Sequence, residues 1–161
     1  MKILTTIPGC DIPILDNGDG SYSFTADMMI DGDGTGLSHG DPDYQGTTSY
    51  KPDLDADVDP YFVLPPAAIL AVVPDVIGCQ GLVELLDADY NVLVAKDAVV
   101  GDVGPHFKIG EGSIKLAGEM GVPNSPTTGG DERRRFRYTY WPGRPAVVNG
   151  KTYVLQAYRG D

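Results

Sequence analysis

The apolar runs of this chain are short, and a glycine or proline stands close to most of them. With 21 Gly and 13 Pro in 161 residues, a bundle of long helices is disfavoured, because both residues interrupt regular elements and mark turns. What remains is a strand-rich fold with many turns. The length suits one domain with a real core. The 42% hydrophobic content excludes a disordered chain.

The coarse pattern divides into a lead and a core. Residues 1–25 read as an irregular lead with one or two short strands, turning at Asn17-Gly18 and Asp19-Gly20 into alternating Tyr22 and Phe24, the mark of a hairpin. Residues 26–161 read as the core of a single catalytic domain. "DMMIDGDGTG" starts as a short strand and runs into a long acidic, aromatic-bearing loop; loops of that length are usually functional or mobile. Tyr61 to Leu64 reads as a buried strand stopped by Pro65-Pro66. Gly81–Leu86 and Val92–Gly101 form the clearest hairpin. Gly112 to Met120 reads as a short helix with Ser113 as N-cap and Gly121 as the stop. "RFRYTYW" and "KTYVLQAY" read as two final strands.

The net charge of −11 makes nucleic acid a poor partner, since only "ERRRFR" gathers cations to neutralise phosphates. No apolar run approaches a membrane span, and no signal-peptide pattern is visible at the start. An acidic surface favours encounter with cationic ligands, or simply solubility. Cys10 and Cys79 lie 69 residues apart, compatible with one disulfide or two free thiols.

The chemistry concentrates in "VVGDVGPHFKIGEGSIKLAGEMG". Asp102 ends a strand and Glu111 follows nine residues later, just before the helix, with glycines between. Glycosidic cleavage needs two carboxyls, a proton donor and a base or nucleophile; a spacing of about 6.5–9.5 Å inverts and about 5–5.5 Å retains. A helix start favours the charged form of Glu111, so burial or a second carboxylate must prevail if it is to act as an acid. A capped turn without catalysis is the plain alternative. Asp31-Gly-Asp33-Gly imitates half a calcium loop, but Pro42 stands where the bidentate Glu belongs, so no metal is expected. His39 and His106 are too few for a metal site; His106 is a candidate to orient a carboxylate. Tyr44, Tyr50, Tyr61, Tyr138, Tyr140 and Trp141 are candidates for stacking on sugar.

Taken in order, "DMMIDGDGTG", "DPDYQGTTSY", "VDPYFVLPP" and "AVVGDVGPHFKIGEGSIKLAGEMGVP" resemble the chitosanases of glycoside hydrolase family 75, over most of the chain from Asp27. The resemblance implies endo-hydrolysis of β-1,4-linked glucosamine with inversion, without a cofactor. It implies that the essential carboxylates fall on Asp102 and Glu111. Substrate contacts are expected from Asp31, Asp33, Gln45, Tyr61, His106 and Tyr140. Relatives often carry Cys where this chain has Gly32, and commonly enter the secretory route.

The same segment resembles the strand-and-helix signature of double-psi β-barrels, shared by family 45 endoglucanases and expansins. The expected fold is therefore mainly β: a six-stranded double-psi barrel with extra hairpins and one short helix. By that resemblance Glu111 is the general acid and Asp102 the base, with Asp31 or Asp33 as the alternative base. The expected partner is chitosan or a chitooligosaccharide, met by a monomer, with no nucleic acid and no membrane. The rival readings are a non-catalytic, expansin-like carbohydrate-binding barrel and a peptidoglycan-cleaving barrel enzyme.

Overall fold

The structure, a computed structural model, describes residues 1–72 and 75–158. Its elements run β1 (Lys2–Ile7), β2 (Ile12–Asp16), β3 (Tyr22–Asp31), β4 (Tyr61–Leu64), α1 (Pro66–Leu70), β5 (Cys79–Leu86) and β6 (Val92–Val103). They continue with β7 (Glu111–Ser113), α2 (Ile114–Glu119), β8 (Asp131–Pro145), β9 (Val147–Val148) and β10 (Lys151–Thr152). Six strands close a ring in the order β3-β7-β4-β6-β5-β8, and β8 returns to β3. This is the expected mainly β, six-stranded barrel. The β1–β2 hairpin extends one edge of β3 outside the ring.

The ring mixes pairings. β3 and β7 are parallel, as are β4 and β6, while β3–β8, β5–β6 and β5–β8 are antiparallel. Parallel neighbours cannot be joined by a tight turn, so strands that pair in parallel are far apart in the chain. The 32–60 loop joins β3 to β4, passing over β7, which lies between them in the ring.

Alternation fills the interior. On β8, Phe136, Tyr138 and Tyr140 are fully buried, as the period-two rule requires of one strand face. Tyr138 stacks on Phe24 of β3 at 4.7 Å between ring centroids and meets Phe62 of β4 edge-on at 5.4 Å. All four residues of β4 are buried. One face looks into the barrel; on the other, Tyr61 packs with Leu54 from the 32–60 loop against Gly101 of β6.

Local signals held best where they were strongest. Ser113 caps α2, accepting from the Leu116 N–H at 3.2 Å, and Gly121 follows with φ 77°. Three readings need correction. Pro65-Pro66 ends β4 but also opens a second short helix, α1, with Pro66 in its first turn, where its missing N–H costs nothing. "KTYVLQAY" is a strand only at Lys151–Thr152; beyond that it runs irregularly, tied by an isolated bridge of Gln156 to Ile77. The lead ends sooner than residue 25, because Tyr22 already pairs with Tyr140 in the ring. Both cysteines are free thiols, Cys79 buried and Cys10 partly exposed.

The 32–60 loop is pinned at Gly34, which has φ 116° and bridges to Asp55. A Cβ there would lie 1.8 Å from the Leu54 carbonyl oxygen. Gly34→Ala should therefore cost about 2 kcal/mol or more of stability, through clash and left-handed strain together, read by urea denaturation. An unchanged midpoint would show that this pin is dispensable.

Candidate functional site

A cleft of about 1080 Å³ opens across one end of the barrel. Three ring strands deliver its central acids: Asp31 ends β3, Glu111 begins β7, and Asp102 lies next to the end of β6. The parallel registers set their relation. Met29 pairs with Glu111 and Asp31 with Ser113, while Val63 of β4 pairs with Asp102. Asp33, Asp41 and Asp43 of the crossing loop add to the wall, and Lys51 is the one cation among the described lining residues. Its ammonium is engaged by Asp53 at 2.5 Å.

Asp31 and Asp102 are only 8% and 7% exposed, and their carboxyl oxygens lie within 4.8 Å of one another. Two carboxyls buried this close resist ionising together, which favours one of them keeping its proton. Burial, and then the charge of Asp102, push the Asp31 carboxyl well above the usual carboxylate range. Burial also raises Asp102, against donors from Asp31, Ser49 and Val103 that favour its ionised form. Asp33 is pushed up to about 6 by burial and then by Asp31. Glu111 is pushed up to about 7, by burial first and Asp31 second, against the opposing pull of Lys108. Burial thus prevails over the helix-start effect. Glu111 sits in β7 with two residues between it and the start of α2.

Glycine at 104 lets Glu111 fit. A Cβ there would stand 2.8 Å from the Val63 side chain and 3.2 Å from Glu111 Oε2. The carboxyl and the β6–β7 turn share that space, which gives a physical reason for a glycine between the two acids.

Of the residues proposed from sequence, Asp31, Asp33, Gln45, Asp102 and Glu111 all line the cleft. Gln45 also holds Asp33 by donating its N–H to Asp33 Oδ1 at 2.9 Å. Tyr61 is fully buried; its hydroxyl donates to the Asp33 carbonyl at 3.0 Å, so it supports the acidic loop instead of offering a stacking face. Tyr140 is buried in the barrel against Tyr22 and cannot reach a ligand. His106 is exposed on the turn beside Phe107, away from the cleft lining. Tyr44 is likewise used internally, donating to the Gly34 and Gly36 carbonyls. Among the described lining residues the aromatic one is Tyr158. Neither it nor Ser49, Asp41, Asp43 or Gln156 stood out in the sequence; only the last, irregular segment and the loop fold put them there.

Oxygens of Asp31, Asp33 and Asp102 lie within 4.8 Å of one another, the one grouping among the described residues spaced for a cation. At this spacing either a retained proton or a bound cation offsets the repulsion of the buried carboxyls. No protein-family model matches this chain, and no curated protein does.

The raised carboxyl of Asp31 makes the native protein bind more protons than the unfolded chain between about pH 4 and 7. Stability from this group is therefore complete below the unfolded value and falls as pH rises through the native one. Asp31→Asn should stabilise the protein at pH 7.5 by on the order of 2 kcal/mol, with the gain vanishing near pH 4. Urea unfolding of both proteins across that range measures it; a gain independent of pH would contradict the raised Asp31 carboxyl.

Proposed function

We propose that this chain is an inverting glycoside hydrolase acting on chitosan, with Glu111 as general acid and Asp102 as general base. The observation that carries the reading is the unequal treatment of two carboxyls that burial raises in one cleft, Asp102 to about 6 against backbone and hydroxyl donors and Glu111 further. Glu111 is held up to about 7, which keeps a proton available in mildly acidic solution. Asp102 collects hydrogen-bond donors, which suits an ionised base. Separation of the protonation states of two acids in this way is the usual basis of acid–base division of labour.

In this mechanism Asp102 takes a proton from a water molecule as its oxygen bonds to the anomeric carbon. The bond from that carbon to the leaving oxygen breaks on the opposite face, and Glu111 supplies the proton that oxygen needs. Exchange with solvent resets both carboxyls. The substrate class is supported by the lining: six carboxylic residues against one cation that is already paired. A polymer of protonated glucosamine complements such a wall.

Proton NMR of fresh products from glucosamine oligosaccharides should show the α-anomer first. Asp102→Asn and Glu111→Gln should each lose several orders of magnitude in kcat. An initial β-anomer would overturn inversion. Binding without products would favour a carbohydrate-binding barrel, and full activity in Glu111→Gln would favour a peptidoglycan-type enzyme with one essential Asp.

Raising salt from about 10 mM to about 500 mM at pH 5.5 should raise KM for soluble chitosan severalfold while leaving kcat nearly unchanged, because screening acts on capture. A KM indifferent to salt would remove the electrostatic basis for the substrate class.

A further inference from the structure

Asp102 and Asp31 are held unequally. Asp102 Oδ1 accepts three hydrogen bonds: from the Ser49 N–H at 3.0 Å, the Ser49 hydroxyl at 3.2 Å and the Val103 N–H at 3.0 Å. Asp31 Oδ1 accepts from one backbone group, the Asp33 N–H at 2.8 Å. The Ser49 hydroxyl also accepts from the Val103 N–H at 3.1 Å. It thus closes a small ring between the crossing loop and the end of β6.

Donors to a carboxylate favour its charged form. The imbalance places the negative charge on Asp102 and leaves the proton on Asp31. The titratable groups facing Asp102 do not reverse this. Asp33 from the loop adds negative charge, and Tyr61 from β4 is a neutral phenol held far above its usual range. Glu111 from β7 and Lys51 from the loop line the same cleft, and Lys51 is bound to Asp53. With no unpaired cation among the described lining residues, hydrogen bonds carry the task of holding the charge.

We infer that Ser49 is a positioning residue of the hydrolytic reaction: its hydroxyl keeps the charge on Asp102 instead of Asp31, and so selects which carboxylate receives the proton of water. The catalytic part of this inference rests on the chitosanase reading; the charge placement does not. Ser49 never touches the reacting atoms in this scheme. It acts through Asp102, and its effect belongs in the pH profile.

The test compares wild type, Ser49→Ala and Ser49→Thr by two readouts. One is the pH dependence of kcat on a glucosamine oligosaccharide. The other is a carbon-13 NMR titration of the aspartate carboxyls, which needs no substrate. Ser49→Ala keeps both backbone donors and loses one O–H. The Asp102 titration and the acidic limb of kcat should move up together by about half a unit to one unit. The kcat at pH 5 should fall up to about tenfold, with KM little changed. Ser49→Thr should restore both. If Ser49→Ala does not fold, Ser49→Cys, whose thiol is a weaker donor, carries the same comparison. An unmoved titration and limb would overturn the inference, whatever the loss in stability. Wild type inert toward the oligosaccharide would overturn the chitosanase reading instead, and the titration alone would then decide whether Ser49 holds the charge on Asp102.

Discussion

The pairing of β3 with β8 along one edge and with β7 along the other closes the barrel, and the cleft depends on that closure. A closed ring has no free edges, so each strand end is fixed in depth and rotation by two neighbours. Asp31 stands at the end of one such strand. Glu111 and Asp102 stand on β7 and β6, the two strands that flank β4. The three acids meet because the ring leaves their strands no other register.

Bringing them together is costly, and the surrounding structure shows how the cost is offset. Buried carboxyls without cations must keep protons or gather donors. Here both happen. Burial and the charge of Asp102 raise Asp31, while the crossing loop bends inward to offer Ser49 to Asp102. That loop is itself tied at Gly34, at Thr48 and at Asp59, whose carboxylate accepts from Lys151 at 2.8 Å and from the Tyr153 hydroxyl at 2.7 Å. Ser113 joins the same web, donating to the Asp59 carbonyl at 2.7 Å while it caps α2. The acidic interior and the rigid loop over it are therefore one arrangement.

Much of this was legible in the chain, and for local reasons. The β5–β6 hairpin, the short strand β4, the Ser113 cap and the Asp102–Glu111 spacing each depend on residues close in sequence. The aromatic residues were less legible, because alternation says that half of a strand's side chains are buried without saying which face is the core. Tyr140 fell on the inner face and Tyr61 on the outer one, where the crossing loop covers it, and Tyr158 reached the cleft from a segment with no regular pattern. The α1 helix was hidden because a double proline reads as a stop, although proline is equally at home in a first helical turn.

The sequence by itself determined a β-rich chain, its turns and caps, and two acids held close by a glycine-containing turn, since these follow from short-range sterics and side-chain period. The tertiary structure decided which acids act on one another. Asp31 and Asp102 are 71 residues apart, and Ser49 is 53 from Asp102. Whether a carboxyl keeps its proton depends on withdrawal from water and on charges and donors within a few ångströms, and only the closed barrel fixes those distances.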